Sequence, residues 1–517
     1  MRKLYIPLAA ALLSAAAIGP ALAADSCAKL ASLKLENTKV DKAELVAAGA
    51  FDAPSPFPGP APGGAAASPY KNLPAFCRIA ATLTPTPDSD IKIEVWLPAK
   101  NWNGKLNGVG NGVWAGTISY FAMAEPLSRG YAVVSTDTGH TGIGMDVKWG
   151  AGHPEKIADF GYRAVHEMTV KAKELINAYY KKQPDRSYWT SCSTGGRQGL
   201  MEAYRFPDDY TSISAMDPAN PMTDLMTGSL WTGYVAMQDP AHSVSQSKLA
   251  AVHKAYIEKC DAKDGVKDGI VSDPESCSFD PKEVQCKAKD GDDCLTKAQV
   301  ETMRAVYQGP KNPRTGAQIF SGFSPGSEMQ VGILMSGPAP FPAATSYMQD
   351  IVKQDPNWDY KRFDYDKDAK AAENAGSSVL DVPSDGLKKF FEDGGKLFMA
   401  HGWSDGLIPA ANTIAFYKAM LGSIGAKTAA QQARLFMIPG MGHCSGGDAP
   451  YVFDPLTVLE NWTEKGEAPN RVVVSTPPNA PKQMTRPLCP YPQVDKYKGT
   501  GSTDDAANFE CAPSAKN

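Results

Sequence analysis

Residues 187–199 read Ser-Tyr-Trp-Thr-Ser-Cys-Ser-Thr-Gly-Gly-Arg-Gln-Gly. An extended apolar run enters small residues, and a helical pattern begins near Arg197. A nucleophile elbow needs this order, because a sharp strand-to-helix turn tolerates only small neighbours beside an exposed serine. Ser193 is then the nucleophile. Ser191 stands where G-x-S-x-G has its first glycine, and Gly195 keeps the second. An ordinary turn with a capping serine fits this stretch equally well.

Two later loops favour the elbow. Residues 396–400 form a short apolar run followed by His401-Gly402-Trp403-Ser404-Asp405, and residues 434–438 one followed by Pro439-Gly440-Met441-Gly442-His443-Cys444. Acid and base on loops after later strands, in the order Ser, Asp, His, complete the constellation. The chain has only seven histidines, so one at this place is informative. His443 would take the hydroxyl proton of Ser193, and Asp405 would hold the imidazole in one tautomer and stabilise its cation. His401 sits in the acid loop and is a candidate to line the pocket. Thr194 N–H, directly after the nucleophile, is one donor to a developing oxyanion. Residues 108–116, Gly-Val-Gly-Asn-Gly-Val-Trp-Ala-Gly, are the expected source of the second, with Gly112 chosen. That loop lacks both the G-x-G-x-x-G spacing and a Walker lysine, which argues against a phosphate cradle.

Cys192 precedes the nucleophile and Cys444 follows the base. If Ser193 and His443 meet, the two cysteines are brought near each other. A disulfide requires Cα atoms about 4.4–6.8 Å apart, so each inference supports the other.

Cys-Ser-x-Gly-Gly, His-Gly-x-x-Asp and Gly-x-x-His-Cys together resemble the tannase and feruloyl esterase family, which also contains bacterial hydrolases of mono(2-hydroxyethyl) terephthalate. The resemblance covers nearly the whole chain. It implies an α/β-hydrolase core with a large inserted lid, a Ser193–Asp405–His443 triad and a Cys192–Cys444 bridge. It implies four further bridges: Cys27–Cys77, Cys260–Cys277, Cys286–Cys294 and Cys489–Cys511. It also implies hydrolysis of small aromatic esters, free or attached to plant polysaccharide or polyphenol. Feruloyl esters are the first expectation, galloyl esters the second and terephthalate monoesters the third. A binding protein on the same fold would be the alternative were a triad residue missing; none is.

Residues 260–273 read Cys-Asp-Ala-Lys-Asp-Gly-Val-Lys-Asp-Gly-Ile-Val-Ser-Asp. Asp261, Asp264 and Asp268, spaced by glycines, can converge on a cation or simply form a solvated acidic turn. Hard oxygen ligands without histidine would favour calcium. The family resemblance implies a structural Ca2+ here, with Val266 and Ile270 adding carbonyls.

Around these sites, alternating apolar and polar residues predict strands at 77–83 and 91–97. Short apolar runs predict more at 106–110, 131–137, 187–191 and 213–216. Helical spacing appears at 160–180, 414–421 and 452–465, and a helical stretch is expected at 30–46. Strands alternating with helices indicate a mostly parallel sheet covered on both faces. Residues 221–383, rich in Asp, Gly, Pro and Trp, interrupt that rhythm and read as the inserted lid, so the catalytic domain comprises 24–220 and 384–517.

Residues 1–23 have the form of a secretory signal: Arg2 and Lys3, an apolar stretch too short to span a bilayer comfortably, then Ala21-Leu22-Ala23 as cleavage site. Export to the periplasm or beyond the cell suits ten cysteines with no C-x-x-C pair. A net charge of −4 with no long basic run argues against a nucleic-acid partner, which would need a basic face. No later segment is apolar enough to span a membrane.

Overall fold

In the computed structural model, which describes residues 20–54 and 68–514, nine strands form one sheet. They are β1 (Thr38–Val46), β2 (Phe76–Leu83), β3 (Ile91–Pro98), β4 (Lys105–Gly108), β5 (Ala132–Thr136), β6 (Arg186–Cys192), β7 (Ser212–Met216), β8 (Lys396–Gly402) and β9 (Ala433–Ile438). Their spatial order is β1-β2-β3-β5-β4-β6-β7-β8-β9. The first three run antiparallel, and β5 onward is parallel. This is an α/β fold, with the crossovers of the parallel half made by helices that cover both faces.

One face carries α2 (Ala164–Tyr180), α3 (Thr194–Arg205) and α9 (Ala410–Ile424); the other carries α1 (Tyr120–Ser128) and α10 (Pro455–Lys465). Both faces of the central strands are therefore covered, and β5, β7, β8 and β9 are buried along nearly their whole length, polar residues such as Ser212 and Ser214 included. Trp189 of β6 is fully buried, and its Nε1–H donates to Gly195 O at 2.9 Å, tying the central strand to the first turn of α3. A ring of this size removes some 150–250 Å² from water, about 4–6 kcal/mol of transfer free energy.

Between β7 and β8 the chain leaves the sheet for the helices α4 (Met222–Met237), α5 (Gln246–Cys260), α6 (Lys297–Gln308), α7 (Glu328–Met335) and α8 (Asp368–Leu380). Much of this insertion packs on a core of its own, including Leu249, Val252, Met303 and Val331. Arg197, fully buried on α3, donates to Gly161 O at 3.0 Å and to Leu380 O at 3.1 Å, which fastens the end of the insertion beside the central strand.

All five disulfides pair as the family resemblance implies. The expected helix at 30–46 is instead a short 3₁₀ turn followed by β1. Residues 38–46 pair antiparallel with β2 along its whole length, and ladder hydrogen bonds with cross-strand packing outweigh local propensity. Helix α3 begins at Thr194, three residues before the expected start. Residues 1–19, most of the expected secretory signal, lie outside the described residues. No helix among those described is long and apolar enough to cross a membrane.

Candidate active site

Ser193, Asp405 and His443 gather at the carboxyl ends of β6, β8 and β9, with the glycine-rich loop that follows β4 beside them. Ser193 joins β6 to α3 with φ 62° and ψ −128°. A non-glycine residue there stores on the order of 1–3 kcal/mol of strain, held only because its surroundings fix it. Ser193 N–H donates to Met216 O at 2.9 Å, while its carbonyl accepts from Arg197 N–H and Ala219 N–H, each at 3.1 Å. Gly195 is obligatory: a Cβ there would lie 1.9 Å from Ser191 Oγ. Ser191 itself is not a lapse from the glycine pattern. Its hydroxyl accepts from Gly110 N–H at 3.2 Å and so tethers the glycine-rich loop to the elbow.

Further bonds fix that loop. Asn111 N–H donates to Gln198 Oε1 at 3.0 Å, and Gln198 Nε2 donates back to Asn111 Oδ1 at 3.2 Å. The Thr194 hydroxyl donates to Val113 O at 2.8 Å. Gly110 and Asn111 N–H are thus spent within the protein, and the next amide along belongs to Gly112, which lines the same cavity as Ser193 and Thr194. Thr194 N–H, at the first position of α3, has no carbonyl a turn earlier in its helix to bond. The positive end of the helix dipole adds to it.

His443 also lines this cavity. Its Nδ1 lies 2.7 Å from Asp405 Oδ2, so Nδ1–H donates and Nε2 is left for the serine side. Asp405 is buried, and its other oxygen accepts Leu407 N–H at 2.8 Å and Ile408 N–H at 2.9 Å. Burial works against the Asp405 carboxylate, yet the imidazoles of His443 and His401 hold its carboxyl well below the usual range. Burial likewise works against the His443 cation, but Asp405 outweighs it and raises the imidazole above its ordinary value. The neutral imidazole, the form that can accept a proton, is therefore reached only as pH rises through that raised value.

His401 does not line the cavity, contrary to expectation. It is fully buried behind the acid loop, with Nε2–H donating to Ile408 O at 3.0 Å and Nδ1 2.8 Å from Thr413 Oγ1. Its Nε2 lies 3.4 Å from Asp405 Oδ2 and 3.6 Å from Asp217 Oδ1. Position in a loop indicates neighbourhood, not the direction a ring faces.

Asp217 was not singled out from sequence. Directly after β7, with φ 39°, it accepts Gly402 N–H at 2.9 Å and Cys444 N–H at 3.2 Å. One buried carboxylate thereby joins the acid strand to the base loop. Burial raises its carboxyl, with His401 pulling the other way. An aspartate immediately after a core strand was the available signal. The Cys192–Cys444 bridge lies alongside, with Cα atoms 6.0 Å apart.

The acidic loop follows α5. Asp261 accepts Asp268 N–H at 3.1 Å and Gly269 N–H at 3.0 Å; Asp264 accepts Val266 N–H at 3.2 Å and Ser272 N–H at 2.8 Å. Asp268 accepts Ile270 N–H at 3.2 Å and the Arg486 guanidinium. Among the described residues, Asp261, Asp264 and Asp268 do not bring ligand atoms within 4.8 Å of one another, and Asp268 is already paired with Arg486, so a cation would have to draw the three carboxylates together.

The cavity has a volume of about 350 Å³. The insertion contributes Met222, Leu225, Met226, Ser229, Leu334 and Phe341 to its wall, and the core contributes the loops of Ser193 and His443 with Val113, Leu407 and Ile408.

Residues 77–512 match the family model described as tannase and feruloyl esterase. An uncharacterized esterase of Xanthomonas campestris is 35% identical over 553 residues, covering 97% of this chain and 94% of its own. A probable feruloyl esterase B-2 of Aspergillus terreus is 32% identical, covering 84% of this chain and 86% of its own. The crystal structure of feruloyl esterase B from Aspergillus oryzae superposes with a TM-score of 0.86 at 29% identity, covering 95% of this chain and all of that one. The chain therefore belongs to the tannase and feruloyl esterase family and is a carboxylic ester hydrolase.

Proposed function

We propose that the chain is an exported feruloyl esterase working through an acyl-enzyme on Ser193. Ser193 Oγ attacks the ester carbonyl as His443 Nε2 takes its proton. Thr194 and Gly112 N–H stabilise the oxyanion, each worth about 3–4 kcal/mol of barrier. His443 then protonates the departing alcohol, and a water activated by the same imidazole releases the acid.

What carries the substrate assignment is the wall of the cavity. Among the described residues lining it, none is charged apart from the histidine, and Ser229 is the one side-chain hydroxyl contributed by the insertion. A feruloyl group brings a vinyl, a methoxy and a single phenolic hydroxyl, which this wall can match. A galloyl group would bury three hydroxyls against too few partners, at roughly 1–3 kcal/mol for each one left unpaired. A terephthalate monoester would bring an anion with no cation to meet it. The feruloyl esterase names of the fungal relatives agree with this ranking.

The test is kcat/KM for methyl ferulate, methyl gallate and mono(2-hydroxyethyl) terephthalate. The expected order is ferulate first, with the terephthalate monoester at least about 100-fold lower, the equivalent of roughly 3 kcal/mol. Methyl gallate or the terephthalate ester leading the panel would overturn the assignment.

The insertion is proposed as a lid ordered by Ca2+ at Asp261, Asp264 and Asp268, with carbonyls of Val266 and Ile270. Three carboxylates within eight residues and no soft ligand support that choice. A cation bound only by the folded state adds about 2.7 kcal/mol at a hundredfold excess over its Kd. EDTA is accordingly expected to lower the Tm by several degrees, and added Ca2+ to restore it. An unchanged melting curve would refute the site. Export rests on the form of residues 1–23 together with five disulfides, which persist in oxidising compartments.

A further inference from the structure

Helix α7 of the insertion reaches past the cavity wall to the base loop. Gln330 Oε1 accepts the backbone N–H of His443 at 2.7 Å. The fit leaves no room for a side chain at two glycines of these loops: a Cβ at Gly442 would lie 1.9 Å from Gln330 Nε2, and one at Gly406 2.3 Å from Val331 N. The first turn of α7 is seated by further bonds. His253 on α5 spans Glu328 (Nδ1 to Oε2, 3.0 Å) and Asp448 of the base loop (Nε2 to Oδ2, 2.7 Å). Buried Glu328 also accepts from Gly326 N–H and from the Tyr307 hydroxyl.

We infer that Gln330 is a positioning residue for the catalytic base, an inference that rests on the Ser193–Asp405–His443 reading. Asp405 fixes the ring of His443 through Nδ1, but the direction of Nε2 also depends on the backbone that carries the ring. That backbone is irregular: Gly440, Cys444, Gly446 and Gly447 all have positive φ. A β-bridge between Met441 and Gly447, Gly442 N–H to Gly446 O at 3.1 Å and Cys444 N–H to Asp217 hold the loop on either side, but none of these bonds is made by His443 itself. The disulfide restrains the residue after His443, and Gln330 restrains His443 itself. An error of 1 Å in such a group costs on the order of 100-fold in rate.

Gln330→Leu removes the acceptor at similar volume. It is expected to lower kcat by about 10- to 100-fold with KM changed less than about twofold. Loosening of α7 alone would read differently, because Leu334 on the same helix lines the cavity and KM would rise. Gln330→Glu keeps the accepting oxygen and is expected to recover most of kcat. Its added negative charge should move the acid limb of kcat/KM to higher pH, since a nearby anion favours the imidazolium. The charged groups already around the loop are Asp405, Asp217 and His401 from the core, Glu328 and His253 from the insertion, and Asp448. These stay constant across the series.

Wild-type kcat in Gln330→Leu would overturn the inference. So would a Gln330→Glu variant with kcat unrecovered and the acid limb unmoved. The isosteric glutamate decides the matter even if the leucine variant does not fold. His443→Ala is assayed beside them on the best ester of the panel. Activity surviving there would fault the triad itself, whereas loss there with an indifferent Gln330 faults only the positioning role.

Discussion

Ser193→Ala is expected to lower kcat by about 10⁴- to 10⁶-fold, with the melting temperature unchanged. The size of the loss follows from chemistry: without the hydroxyl there is no acyl-enzyme, and His443 has no nucleophile to deprotonate. Some catalysis over water should survive, because Thr194 and Gly112 N–H do not depend on the side chain at 193. The fold should tolerate the change. The backbone of residue 193 is held by Met216, Arg197 and Ala219 through main-chain bonds that alanine keeps. Its positive φ costs alanine about what it costs serine. Turnover with methyl ferulate and a thermal melt check both halves. Activity like the wild type would remove Ser193 from the mechanism.

The paired change Cys192→Ser and Cys444→Ser should have the next largest effect. The two residues are 252 apart in sequence, and in the chain-entropy model a loop of that length is worth roughly 5 kcal/mol of stability. Activity should fall as well, since the bridge sits beside both Ser193 and His443. Cys286→Ser with Cys294→Ser supplies the contrast. Their separation is 8, worth roughly 2–3 kcal/mol in the same model, and they lie in the insertion away from the cavity wall. Denaturant unfolding and kcat measured on both pairs separate the outcomes. Equal losses of kcat would deny the first bridge its place in the site.

Much of this arrangement was readable from sequence because it is local. Strands at 77–83, 91–97 and 213–216 announce themselves through their apolar patterns, and the acid and base each sit a few residues beyond such a run. What was missed depends on contacts made across the fold. Residues 38–46 look helical until β2 is beside them. His401 occupies a catalytic loop but points into the protein, a choice made by Ile408 O and Thr413 rather than by its own neighbours in sequence. Gln330 touches His443 across 113 residues, and nothing in the composition of α7 marks one of its polar residues as special. Asp217 lies between these cases. Its position after β7 could have been noticed, but its two partners come from β8 and the base loop.

The uncharged lining of the cavity acts in both directions. The acyl group enters as a neutral ester, yet hydrolysis turns it into an acid that ionises at neutral pH. Apart from His443, the wall that favoured the ester has no basic side chain to hold the resulting carboxylate, and Asp405 and Asp217 lie just behind the loops that carry Ser193 and His443. Cleavage thus converts a ligand that the site retains into one that it expels. Departure of the acid is built into the chemistry, and accumulated product competes poorly for the site that made it.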